Sequence, residues 1–274
     1  MRPWILTAFL ALLLAPLLTA VLLAPADSVA SEPLGHEVQV DHGPYARLLA
    51  AHVHGRSVDY AGLKRDQALL DQYLAQLARL DPDAPLTPAW AAGVINAYNA
   101  WTLRLILDHY PGIRSIKDIG GLFSSPWKQH LVRLADRVLT LDELEHDVIR
   151  PRLADPRVHM ALNCTARSCP PLRPEPYLPD TLSTQLDDQV RSFVNDPAAL
   201  RIDTDTLRVS RIFKWYGEDF GGEAGVLTFL RRYAGPDLLA RLAALGPDPR
   251  LTYLDYDWTL NDLPRDAPAH APAP

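Results

Sequence analysis

The chain has 274 residues, with 27 Lys and Arg against 33 Asp and Glu, a formal charge of −6. Its 48% hydrophobic and 22% charged content is that of a globular protein and excludes a disordered or collagen-like chain. The acidic balance disfavours nucleic acid as a partner, and two cysteines, Cys164 and Cys169, exclude a disulfide-dense mini-scaffold.

Residues 4–23 form an apolar run with Arg2 the only charge before it. Ser28-Val29-Ala30 has the small-residue pattern of a signal-peptidase site, so residues 1–30 read as an export signal. The alternative is an uncleaved anchor, because about 20 apolar residues span a bilayer. Either reading places the body of the chain outside the cytoplasm. Membrane contact is expected only if that segment stays attached. Cleavage removes Arg2 and Asp27, one charge of each sign, so the charge stays at −6. Residues 31–262 are then expected to form one domain. Residues 263–274, rich in Pro and Ala, read as a disordered tail.

Residues 43–55 read as a helix ending near Gly55, followed by a short extended piece at Val58-Asp59-Tyr60. Residues 61–80 place Leu63, Leu70, Tyr73, Leu74 and Leu77 at helical spacing. Thr87-Pro88 is an N-cap followed by Pro at the first helical position, and Pro111 stops the helix that starts there. On a helical wheel, Val94, Tyr98, Trp101 and Leu105 form one apolar face. Leu103, Ile106 and Leu107 cover most of the other, leaving a narrow wet strip at Ala97, Arg104 and Asp108. This is the pattern of a central, buried helix. Asn96 and Asn99 fall among its apolar neighbours, where buried amides need partners. They either bond to nearby backbone or line a binding site.

Thr140-Leu141-Asp142-Glu143 is a capping box and opens another helix. Glu145 projects into its apolar stripe of Leu141, Leu144, Val148 and Ile149, with His146 at the edge. A carboxylate there is paired, caps backbone, or acts in acid–base chemistry. Pro151 ends or kinks this helix. Alternation of Val158, Met160 and Leu162 reads as a strand, with His159 on the opposite face. Residues 163–177 form a proline-stiffened loop holding both cysteines. Asp180 caps a helix to about Asn195, and residues 200–209 form a hairpin. Residues 225–245 hold two helices broken at Gly235-Pro236. Leu251 to Tyr256 completes the reading as a last strand. The fold class is α+β: a helix-rich single domain with a small, mostly antiparallel sheet and a buried central helix.

Several of these segments together resemble one family. They are Val58-Asp59-Tyr60, the run from Ile95 to Ala100, Ser115 to Ile119, and Leu141 to His146. His159 to Pro170 and Lys214-Trp215-Tyr216 with Asp219-Phe220 complete the set. In order and spacing they are similar to the domain of unknown function 547, over about residues 45–220. The resemblance implies no particular activity. It places the family's polar positions at Asn96, Asn99, Glu145, His146, His159, Cys164 and Cys169. It also implies an exported bacterial protein, in agreement with the export signal.

An oxidising compartment and a separation of five positions point first to a Cys164–Cys169 disulfide. The alternatives are a reactive thiol, a zinc site built from His159, Cys164 and Cys169, and a redox pair. Strand alternation opposes a Cys164–His159 pairing unless the chain turns near Asn163, or unless His146 is the base. Trp127, Trp215 and Tyr216 read first as core packing and second as a binding wall. Asp187 and Asp188 read as a solvated helix face. No nucleotide-binding or zinc-protease motif is present, and no cofactor or metal is expected. Two functions are carried forward. One is an envelope binding or accessory domain with a structural cysteine loop and an envelope ligand or protein as partner. The other is a thiol-dependent hydrolase or transferase of papain-like or transglutaminase-like type, acting on an envelope amide or ester. In the latter, Cys164 is the nucleophile, His159 the base, and Glu145 or an Asn the orienting group.

Overall fold

A computed structural model describes residues 38–121 and 124–264. The expected signal or anchor at 1–30 lies outside them, as does the tail beyond Pro264. Among the described residues no helix is long and apolar enough to cross a membrane.

Helix α1 spans Gly43–His52, and a two-strand ribbon pairs β1 (Val53–His54) with β2 (Ser57–Val58). The region expected as one helix is two, α2 (Tyr60–Arg65) and α3 (Gln67–Leu77). Asp66 closes one and opens the next, so the apolar spacing continues across the break. Helix α4 (Pro88–His109) begins where the Thr87-Pro88 signal places it, with the Thr87 hydroxyl accepting from Trp90 N–H at 3.0 Å. It is buried nearly all round, and even Ala97 of the expected wet strip is inaccessible. Arg104 and Asp108 do face outward, paired with each other.

A short hairpin, β3 (Val132–Leu134) and β4 (Arg137–Leu139), leads into the capping box of Thr140 and Glu143. The helix after it is not uniform. It is α-helical at α5 (Leu141–Glu143), π-helical over Leu144–Ile149, and α-helical again at α6 (Arg150–Leu153). Pro151 lies in that last turn, which ends at a left-handed Ala154. Such π turns occur frequently at functional sites.

The segment expected as a strand is instead helix α7 (Val158–Ala161). Its alternation has a tertiary cause. Val158 and Ala161 pack into the core around α4, whereas Met160 packs into a second core. A short helix wedged between two cores is apolar on two sides and imitates a strand's period.

Helix α8 (Leu182–Val194) begins after Thr181 rather than Asp180. Its Asp187 and Asp188 are not simply solvated: Arg157 holds Asp187 at 2.8 Å and Arg173 holds Asp188 at 2.7 Å. The second core lies between α8 and a three-stranded sheet. The expected hairpin forms its antiparallel part, β5 (Leu200–Asp203) with β6 (Thr206–Val209), while β7 (Arg250–Tyr253) adds parallel to β6. Between them run α9 (Ile212–Trp215), α10 (Gly222–Tyr233) and α11 (Pro236–Ala244). The last strand thus ends before Tyr256.

Residues 254–263 then form an extended ribbon that ties distant segments together. Asn261 N–H donates to the Thr165 carbonyl at 2.8 Å, and Leu260 N–H donates to the Arg114 carbonyl at 2.7 Å. Val58 N–H donates to the Asn261 carbonyl at 2.9 Å. The cysteine loop is therefore pinned from outside by the end of the described chain.

Candidate functional site

The two asparagines of α4 hold the cysteine segment from inside. Asn99 donates to the Ala161 carbonyl at 2.9 Å and accepts from Asn163 N–H at 2.9 Å. Asn96 treats Tyr177 the same way, donating to its carbonyl at 2.8 Å and accepting from its N–H at 2.9 Å. Each amide thus satisfies two backbone groups that helix or sheet would otherwise have to satisfy. Neither asparagine lines the cavity described below.

Within the loop, Asn163 repeats the device. Its side chain donates to the Pro170 carbonyl at 2.7 Å and accepts from Thr165 N–H at 2.9 Å. Thr165 has φ +65°, a conformation that costs a β-branched residue about 1–3 kcal/mol. Its hydroxyl bonds the Cys164 carbonyl at 2.6 Å, and its own carbonyl is held by Asn261.

Cys164 and Cys169 are not joined; both are free thiols, which corrects the expected disulfide. The loop does not need a bridge, because Asn163, Asn99 and the C-terminal ribbon already close it. Cys164 N–H donates to Cys169 Sγ at 2.8 Å, and Tyr256 Oη lies 3.2 Å from Cys164 Sγ. Burial pushes the Cys164 thiol up. Hydrogen bonds from the Cys169 thiol, the Tyr256 hydroxyl and Ala166 N–H outweigh it and leave its pKa below the ordinary value. Burial and the adjacent Cys164 push Cys169 well above that value, so Cys169 keeps its proton.

Cys164 forms part of a cavity of about 210 Å³ that also contains His159, Glu145, His146 and Trp215. The turn at the end of α7 brings His159 and Cys164 to one cavity, removing the objection that strand alternation raised. His159 is 4% exposed and stacks on Tyr216 at 3.9 Å. Its Nε2 donates to Asp219 Oδ2 at 2.7 Å. Because a carboxylate only accepts, the proton sits on Nε2 and Nδ1 keeps its lone pair. Among the described residues Nδ1 has no hydrogen-bond partner. Burial lowers the His159 pKa against the opposing pull of Asp219, so the ring is neutral near pH 7. Asp219 receives a two-pronged bond from Arg150, at 2.8 and 2.9 Å. Those bonds, with the one from His159, hold its pKa down at about 2.

Asp219, not Glu145 or an asparagine, is therefore the group that orients His159. Asp219 belongs to the Asp219-Phe220 segment of the family resemblance, but nothing local ties it to His159, to which only the packing of the second core brings it. His146 is bound to the same arginine, accepting from Arg150 Nη1 at 2.7 Å, with Asp142 3.6 Å from its Nε2. Glu145 is 7% exposed in the π turn and accepts the Tyr216 hydroxyl. Burial and that carboxylate push the Tyr216 pKa well up. Trp215 is not packed in the core; it is 45% exposed and touches Tyr256 at 4.7 Å and Trp258 at 5.6 Å. Tyr256 and Trp258, neither of them a site candidate from the sequence, belong to the same wall as Trp127. Among the described residues no three His, Cys, Asp or Glu side chains converge to hold a metal ion.

Residues 89–194 match the sequence profile of a family described as protein of unknown function, DUF547. The chain carries a DUF547 domain. No curated protein and no solved structure matches it. The DUF547 match includes Glu145, His146, His159 and both cysteines. Asp219, Tyr216, Tyr256 and Trp258 lie beyond it, so the cavity joins the DUF547 segment to the part of the chain that follows.

Proposed function

We propose that the cavity is a thiol-dependent acyl-transfer site, a hydrolase or transferase acting on an amide or ester. The observation that carries this reading is an unbridged Cys164, its sulfur 3.2 Å from the Tyr256 hydroxyl, in the same cavity as a His159 held by Asp219. A nucleophile, a base and an orienting carboxylate are the parts that thiol catalysis requires. The export expected from residues 1–30 places its substrate in the cell envelope.

In this scheme Nδ1 of His159 takes the Cys164 proton as the sulfur attacks the carbonyl carbon. The C–S bond forms and the carbonyl electron pair moves to oxygen. Tyr256, whose hydroxyl already lies 3.2 Å from the sulfur, is placed to donate to that oxyanion. Collapse expels the amine or alcohol, which leaves with the proton from His159. Water or an acceptor amine then attacks the thioester and gives its proton to His159. The sulfur leaves and takes the proton back.

The test is acid-quenched intact mass spectrometry after incubation with p-nitrophenyl esters. The expected result is one acyl adduct, on Cys164, which is lost in Cys164→Ser and in His159→Ala. An adduct on Cys169, or none on the wild-type chain, overturns the reading.

A further inference from the structure

The charge and shape of the cavity restrict what can enter it. Asp142 and Glu145 contribute carboxylates to it, and among the described residues no Lys or Arg lines it. Asp219 adds little net field, because Arg150 pairs with both of its oxygens. Glu145 is different. It is 7% exposed, its hydrogen-bond partner is the neutral Tyr216 hydroxyl, and no cation lies within salt-bridge distance among the described residues. A buried carboxylate that feels a cation, Arg150, only from beyond salt-bridge distance is still costly, and an arriving cation relieves that cost. Asp142 has a side chain 39% exposed and lies 3.6 Å from His146 Nε2.

The remaining wall is aromatic. Trp127, Trp215, Tyr256 and Trp258 form a contiguous set, with Tyr256 and Trp258 4.6 Å apart and Trp127 and Trp258 5.7 Å apart. The faces of such rings attract cations. One of these rings already does so from its own chain: Lys117 Nζ sits 3.8 Å over Trp258. An anionic group entering the cavity meets two carboxylates and the Cys164 sulfur. A neutral apolar group gains the wall alone, whereas a cation gains the wall and the carboxylates. A volume of about 210 Å³ admits one side chain rather than a whole ligand.

We infer that this cavity selects a substrate bearing a primary ammonium group, a lysine-like or diamino-acid side chain, close to the acyl group that Cys164 attacks. The position of the acyl group rests on the proposed function. The cation preference rests only on the carboxylates and the aromatic wall.

The experiment uses the full chain carrying Cys164→Ser and three amides of similar size: those of Nα-acetyl-lysine, Nα-acetyl-norleucine and Nα-acetyl-glutamate. Binding is read as tryptophan fluorescence, to which the exposed Trp215 contributes. The lysine amide is expected to bind about tenfold or more tightly than the norleucine amide, with the glutamate amide weakest. Glu145→Gln should compress that ratio, and Asp142→Asn, at a more exposed position, provides the same check if Glu145→Gln fails to fold. Equal or tighter binding of the norleucine or glutamate amide overturns the inference, as does a lysine amide that gives no saturable change. Iodoacetamide labelling of the wild-type chain separates the two proposals. An inert Cys164 with a retained cation preference removes the thiol chemistry and leaves the cation site. A reactive Cys164 without the preference does the reverse.

Discussion

Two buried polar clusters sit beside the central helix, and they use their hydrogen bonds differently. Around Asn96 and Asn99 each amide oxygen and nitrogen is matched to a backbone group of the 161–177 segment. Neither asparagine lines the cavity beside Cys164, and the cluster is a fastening. Around Cys164 and His159 the polar groups bond mainly to one another, through Asp219, Arg150, Tyr256 and Cys169. That leaves His159 Nδ1 without a hydrogen-bond partner among the described residues, on a ring that lines the same cavity as Cys164. Burial of polar residues is common to both; capacity left unused beside a cavity is what separates a site from a fastening.

Breaking the fastening should have the larger effect on stability. Asn99→Ala strands the Ala161 carbonyl and the Asn163 N–H, each buried. The expected loss is about 2–4 kcal/mol, measured by denaturant unfolding. A loss near zero would mean that water replaces the amide and that Asn99 is not what holds the loop.

The carboxylate at the site should show itself through pH. The pKa of Asp219 is held at about 2, below its unfolded value of about 3.9. Its contribution to stability is therefore complete above about pH 4 and is lost as pH falls through about 2. Because its side chain is 29% exposed, solvent screening limits that contribution to the order of 1–2 kcal/mol. Asp219→Asn should flatten the acid limb of a melting-temperature profile over this window and leave the melting temperature near pH 7 only modestly lower. An unchanged acid limb would show that Arg150 and His159 do not hold the carboxylate in solution.

The contrast between the clusters also marks what could be read in advance. Helix α4, the Thr140 capping box and the β5–β6 hairpin rest on local signals, namely N-caps, proline position and alternation. All three are found where those signals put them. The α7 segment misled because two cores flank four residues, and a pattern that short cannot separate the two periods. The asparagines were legible as buried amides, though not as backbone fasteners, because their partners lie 62 to 81 positions away. Cys164, His159 and Glu145 were legible as a group through the family resemblance. The pairing of Asp219 with His159, and the place of Tyr256 and Trp258 in the cavity wall, were not, because only tertiary packing brings them there. The disulfide reading failed for a related reason: proximity in sequence was visible, whereas the outside closure of the loop by Asn261 was not.

The smallest of these effects bears most directly on the central claim, that the hydrogen bonds around Cys164 make it a reactive thiol. The rate of iodoacetamide alkylation at Cys164, followed by intact mass across pH, reports its thiolate fraction. The account predicts a midpoint below that of a free cysteine thiol. It also predicts a rise in that midpoint in Tyr256→Phe, which removes the hydroxyl 3.2 Å from the sulfur. A wild-type midpoint at or above that of a free thiol, or one that Tyr256→Phe leaves in place, would contradict it.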